Sequence, residues 1–270
     1  MTVPPGVFTP PSIVVGIDGS RAAEHAALWA LDEAVGRELP LQLVAAAADD
    51  AATSRADSAV QAAAAAVRAV GLPVAIAAGI AAGDPVPVLL EASRAAAMLC
   101  VGAVGLKHFE HRLGSTVSAL VASARCPVAV VRGERRHGWV VVELDDTPDS
   151  AAVLQAGVEE ARLRRAPLRV LGTWQSGDPG GHDTVERERL VRSGLDRRIE
   201  IWRHRYPDLD IVPVAVPGSG LKWMSGHAAQ TQLVVIGAGN IVTVTELLGP
   251  AGLAALPDTS VLILDSQRLL

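Results

Sequence analysis

The chain carries the same pattern twice. The segment IVVGIDGSRAAEHAALWALDEAVGRELPLQLVAAA from Ile13 and the segment VVVELDDTPDSAAVLQAGVEEARLRRAPLRVLGTW from Val140 share one order of parts. Each reads as an apolar strand, an Asp-x-Ser/Thr turn, an amphipathic helix, a proline and a second apolar strand. Later parts match as well: AMLCVGAVG from Ala97 with QLVVIGAGN from Gln232, and CPVAVV from Cys126 with TSVLIL from Thr259. The first strands lie 127 residues apart (Val14 to Val141) and the motif glycines 135 apart (Gly102 to Gly237). A longer second helix in the later copy, VERERLVRSGLDRRIEIWRHRY, takes up the difference. A repeat on this scale limits the fold more than composition does, because both halves must form the same architecture.

Each copy reads strand, helix, strand, helix, strand, helix, strand, helix, strand. In the first copy the strands are expected near 12–18, 40–47, 73–79, 97–102 and 127–131. Short apolar strands alternating with helices imply a parallel sheet covered on both faces. The strands are continuously apolar rather than alternating, as that burial requires. The expectation is two tandem five-stranded α/β domains, Rossmann-like, with strand order 3-2-1-4-5, packed as an intramolecular pseudo-dimer. Residues 1–11 (MTVPPGVFTPP) read as a disordered lead-in, 12–132 as the first domain, 133–138 as a polar linker and 139–270 as the second domain.

Within the first helix Leu28, Leu31 and Val35 have the spacing of a buried face. Ser20 and Thr147 are expected to cap the first helix of each copy. Pro148 and Asp149 support the second cap. The last strands, PVAVV and SVLIL, are apolar edges without charge, which invites edge pairing of the copies or a homodimer.

Composition removes several function classes. A net charge of −5 at pH 7 gives no basic surface for nucleic acid or an anionic membrane. No apolar run approaches the ~20 residues of a membrane span, so the expected place is the cytoplasm. The two cysteines, Cys100 and Cys126, lack metal-ligand spacing and read as free thiols in a reducing compartment, with Cys126 partly accessible.

In a sheet of this order ligands bind beyond the C-terminal strand ends, where the winding reverses. That selects the loops after Asp18 and after Gly102. Asp18 can accept from a ribose or a base edge, or it can close a strand-to-helix turn with Ser20 as cap. The second loop, Gly102-Ala103-Val104-Gly105, leads through Lys107, His108, His111 and Arg112 to Gly114-Ser115-Thr116. Glycines permit close backbone approach and a helix opening at Ser115 directs N–H groups at an anion, which suits a phosphate chain. A glycine-rich connection with Ser115 as a cap fits the same residues. The chain has no G-x-x-x-x-G-K-[ST] and no G-x-G-x-x-G after the first strand, so P-loop and dinucleotide chemistry lack their motifs. His108 and His111 have no third ligand in the nearby sequence, which favours a solvent or phosphate role over a metal.

These residues resemble the universal stress protein family, and the two copies resemble its tandem-domain members. The nucleotide-binding members carry G-x2-G-x9-G-[ST]; this chain has Gly102-x2-Gly105-x8-Gly114-Ser115, one residue shorter. DGS after the first strand and CPV before the fifth belong to the same resemblance. It implies ATP, accompanied by Mg²⁺, held in the first copy. Gly16, Ile17 and Asp18 would hold the adenosine end, and the strand end from Val44 to Ala46 would meet adenine. Gly102, Ala103, Gly105, Gly114, Ser115 and Thr116 would hold ribose and phosphates, with Lys107 and Arg112 adding positive charge.

The second copy departs from that pattern. Asn240 and Pro250 replace Gly105 and Ser115, Glu143 replaces Gly16, and Asp146 replaces Gly19. Two added carboxylates are expected to repel a polyphosphate. The implied role is stress response or regulation through a protein partner that the sequence does not name. No carboxylate pair or activated nucleophile is evident, so hydrolysis is expected to be slow at most. The alternatives are an interaction module of the same fold without nucleotide, and an adenylating enzyme, whose S-G-G-x-D-S loop is missing here. RRIEIWRHRY reads as a solvated helix face; Trp223 and Met224 fit either core or a partner contact.

Overall fold

The computed structural model describes residues 11–103, 115–133, 137–147, 149–174 and 182–265. The described residues divide into two compact units, those up to 133 forming the first and those from 137 the second.

The first unit runs β1 (Ser12–Gly16), α1 (Arg21–Gly36), β2 (Leu41–Ala47), α2 (Asp50–Ala69) and β3 (Ile76–Ala82). It continues through α3 (Pro85–Ser93), β4 (Ala96–Gly102) and α4 (Ser115–Ser123) to β5 (Val128–Val131). Its strands are parallel in the order β3-β2-β1-β4-β5.

The second unit runs β6 (Trp139–Leu144), α5 (Ser150–Leu163), β7 (Leu168–Trp174), α6 (His182–Arg205) and β8 (Ile211–Pro217). Then follow α7 (Gly220–Gly226), β9 (Thr231–Gly237), α8 (Ile241–Leu248), α9 (Pro250–Ala255) and β10 (Ser260–Leu264). Its order, β8-β7-β6-β9-β10, repeats that of the first unit. Even an irregularity recurs: the register shifts at Ser12/Ile13 in β1 against β4, and at Trp139/Val140 in β6 against β9.

Burial on both sheet faces explains the apolar strand composition. Ile13, Val14 and Val15 are buried in succession, and every residue of β9 is buried. The helix face differs from the spacing argument. In α1 the buried stripe is mainly Ala23, Ala26, Ala27, Ala30 and Ala34 with Trp29 and Leu31, while Leu28 and Val35 are only half-buried. Alanines let the helix approach the sheet closely, so the leucine spacing marked the edge of the buried face. Both first helices also carry an i,i+4 pair with a fully buried glutamate, Glu33–Arg37 at 3.1 Å and Glu160–Arg164.

Three local expectations shift. β3 starts at Ile76 rather than near 73, because Pro73 has no N–H for the ladder. Thr147 does not cap α5. Its hydroxyl donates to Asp145 Oδ1 at 2.5 Å, and the helix begins at Ser150 after Asp149; Pro148 lies outside the described residues. Cys126 is buried rather than accessible, and burial pushes its thiol up to about 12.

Met224 is fully buried, whereas half-buried Trp223 stacks on His227 at 4.1 Å and on Trp139 at 6.2 Å between ring centroids. Among the described residues no helix is long and apolar enough to cross a membrane.

Candidate functional site

At the C-terminal ends of β1, β2 and β4 the first unit has an open cleft of about 510 Å³. It lies at the switch point, where β1 pairs with β2 on one side and β4 on the other. Gly16, Ile17, Asp18, Val44, Ala46, Gly102 and Thr116 all line it. Residues from three strand ends and a helix start, up to 100 positions apart in sequence, thus meet in one place.

Each member is positioned by local chemistry. Gly16 pairs in register with Val44, and a Cβ there would meet Leu89 Cδ1 at 2.9 Å and Val101 Cγ1 at 3.3 Å. Val44 and Ala46 face the cleft because alternate strand residues share a face. Asp18 is exposed, and its Oδ1 accepts from the Ser20 N–H at 2.9 Å. The turn is therefore present, and the same residue also lines the cleft. Gly19 completes it at φ +83°, which a glycine adopts without strain. Ser20 then caps α1, accepting from the Ala23 N–H at 3.1 Å.

Gly102 contributes in a different way from close approach to a ligand alone. A Cβ on it would stand 2.6 Å from the backbone carbonyl carbon of Ala22. The glycine is needed to let α1 cross the end of β4. Two further expectations are narrowed. The Ile17 N–H donates to Val44 O at 2.8 Å, and the Ala103 N–H to Val131 O at 3.0 Å, so both donors belong to the sheet. Ala103 is buried and is not among the cleft-lining residues. Ser115 opens α4, with Thr116 and Val117 on the cleft wall. Gly105, Lys107, His108, His111, Arg112 and Gly114 lie outside the described residues.

The cleft also holds residues that sequence reasoning did not select: Arg55 from α2, Asp84 at the cap of α3, and Leu89. Arg55 and Asp84 follow strand ends at β2 and β3, so the rule that ligands gather there was the available signal. Among the described residues no group of three or more His, Cys, Asp and Glu could hold a metal.

The second unit places its own side chains at the matching positions. Glu143, the counterpart of Gly16, pairs in register with Leu171 and is 6% exposed. Its Oε1 accepts from Thr243 Oγ1 at 3.2 Å, and Oε2 has no hydrogen-bond partner. Burial pushes this carboxyl up to about 7; the Thr243 hydrogen bond opposes that, while Glu246 and Asp145 add to it.

Asp149, the counterpart of Ala22, extends Oδ2 to the Gly239 N–H at 3.2 Å. Arg198 reaches over the strand-end turn, donating to Asp145 O at 3.2 Å and lying 3.3 Å from Asp146 Oδ1. Asn240 caps α8 by accepting from the Thr243 N–H at 3.1 Å, and Pro250 opens α9. Simple repulsion by two carboxylates therefore describes this unit poorly. Glu143 is buried, Asp146 is paired with an arginine, and internal groups occupy the strand ends.

Comparison with known proteins gives a consistent result. The universal stress protein family model matches residues 11–132. Universal stress protein Rv2028c of Mycobacterium tuberculosis is 42% identical over 279 aligned residues, covering 96% of this chain and 98% of that protein. Universal stress protein Rv2624c of the same organism is 39% identical, covering 92% and 93%. The crystal structure of a universal stress protein from Archaeoglobus fulgidus aligns with a TM-score of 0.69 at 12% identity, over 94% of this chain and 96% of that one. This last likeness concerns the fold. With 42% identity across essentially both full lengths, the chain belongs to the universal stress protein family.

Proposed function

We propose that the first unit is an adenine-nucleotide binding domain, with ATP as its ligand, and that the second unit keeps the fold without the site. The supporting observation is the cleft of the first unit, which gathers Gly16, Asp18, Val44, Ala46, Gly102 and Thr116. Its volume of about 510 Å³ falls in the range of ~300–1,000 Å³ usual for small-molecule sites. The lining suits the two ends of such a ligand. Val44, Ala46, Leu89 and Val101 offer an apolar wall for a base, while Asp18, Thr116 and Arg55 offer polar and charged groups for ribose and phosphate. The start of α4 adds the positive end of a helix dipole.

Mg²⁺ would accompany the phosphates rather than occupy a protein cage. The described residues contain no ligand cluster for it, and Asp18 Oδ1 is engaged in its turn. The chain's residues would bind and orient; they are not arranged for a reaction that the cleft lining makes evident. The proposed role is regulatory, in the cytoplasm, with nucleotide occupancy of the first unit altering contact with a protein partner.

Titration of the full chain with Mg-ATP, by calorimetry, tests this reading. Ala46→Leu should weaken binding at least ~10-fold by filling the cleft wall while leaving the far-ultraviolet spectrum unchanged. Equal affinity for both proteins would refute the placement of the ligand. No binding to either would favour an interaction module without nucleotide.

A further inference from the structure

We propose that Glu143 is a proton-operated latch in the second unit: as a neutral acid it closes the end of β6 against α7 and α8, and its ionisation loosens both helices.

The geometry is that of a closed contact. Where the first unit has Gly16 and an open cleft, the second has a carboxyl that is 6% exposed. Thr243 of α8 donates to its Oε1 at 3.2 Å. Gly220, the first residue of α7, presses on the same group. A Cβ there would lie 3.0 Å from Oε1, 2.8 Å from Cδ and closer still to Oε2. A side chain at 220 would have to push the Glu143 carboxyl aside, so α7 is seated directly on it. Oε2 meets no hydrogen-bond partner.

Two carboxylates act on it: Glu246 of α8 and Asp145 after β6 both disfavour a negative charge on Glu143. Arg198 of α6 stands at the same strand end, but it donates to Asp145 O at 3.2 Å and pairs with Asp146 at 3.3 Å. The Ser219 hydroxyl donates to Glu246 at 2.9 Å, and Lys222 of α7 is exposed. A neutral carboxyl pays only for lost hydration here. A carboxylate would be buried, half-unpaired and repelled, and such a charge needs water or a cation. Burial accordingly pushes the carboxyl up to about 7, so the change falls near neutrality.

The helices on either side are suited to yield. α7 has seven residues and α8 eight, and Ile241 and Val242 at the start of α8 are 72% and 70% exposed. Their buried residues are Gly220 and Met224 in α7 and Thr243, Leu247 and Leu248 in α8, and short segments anchored by so few side chains open at lower cost than the sheet.

Hydrogen exchange of the full chain between pH 5.5 and 8.5, corrected for intrinsic rates, tests the latch. In the wild type, protection of peptides covering 220–226 and 241–248 should fall roughly tenfold or more above pH ~7, with α5 as an unchanged reference. Glu143→Gln, permanently neutral, should show no such fall. An identical response in both proteins, or none in the wild type, would overturn the proposal. If the Gln variant does not fold, the ¹³C carboxyl resonance of Glu143 in the wild type decides. A midpoint above ~6 with the Gly220 amide moving alongside supports the latch. A midpoint near ~4–5, or a Gly220 amide that does not follow, overturns it.

Discussion

Asp149 Oδ2 accepts a hydrogen bond from the Gly239 backbone N–H at 3.2 Å. The second unit thus supplies its own anion to the loop after β9, at a position where the first unit has Ala22. Asp149 is buried, so removing it leaves a charge-assisted bond unmade. Asp149→Ala should destabilise the chain by roughly 1.5–3 kcal/mol in urea unfolding. It should not create a second nucleotide site, since Glu143 still fills the strand end. An increase in nucleotide bound per chain would show that Asp149 alone keeps the site closed.

Two glycines separate packing from propensity. At Gly102 a Cβ would meet Ala22 backbone atoms at 2.6 and 2.8 Å, and a backbone cannot rotate aside. Gly102→Ala should lower stability by about 1–3 kcal/mol. At Gly194 in α6 a Cβ would meet nothing within 4 Å. Gly194→Ala should raise stability by roughly 0.5–1 kcal/mol. Thermal unfolding of the two variants checks both signs.

The contrast shows what the sequence could and could not disclose. Duplication, strand order and the strand ends that border the cleft were legible because they depend on local pattern repeated at fixed spacing. Seven of the selected residues line one cleft because they lie at or just beyond the ends of β1, β2 and β4 or at the start of α4. Gly102 was legible as a necessary glycine, but its contact with Ala22 involves residues 80 positions apart. The same limit hid Asp149 on Gly239 and Arg198 over the Asp145 turn. Glu143 was visible as a substitution, yet only its burial shows that it fills the position instead of repelling a ligand. Local competition accounts for Thr147, whose hydroxyl bonds to Asp145 rather than capping α5.

Glu143 makes stability depend on pH. Its folded pKa, about 7, is above the ordinary 4.5, so the folded protein holds this proton more tightly. The contribution is complete below pH 4.5 and is lost as pH rises through about 7. The full loss is on the order of 3 kcal/mol. In urea unfolding, Glu143→Gln should gain on the wild type by up to that amount between pH 5 and 8. A constant difference across that range would mean the carboxyl is not held neutral.

The cysteines should be inert in the native state. Cys100 and Cys126 are both buried, and burial pushes the Cys126 thiol up to about 12, far from the thiolate that reacts. Thiol labelling at pH 8 should find none in the folded chain and two after denaturation, the full cysteine count. Rapid labelling of either native thiol would show that its surroundings open readily.

The most direct measurement is the nucleotide content of the purified chain, by acid release and chromatography, before and after saturation with millimolar Mg-ATP. An open first unit and an internally filled second unit should hold one nucleotide per chain. About two per chain, or none even after saturation, would contradict that assignment.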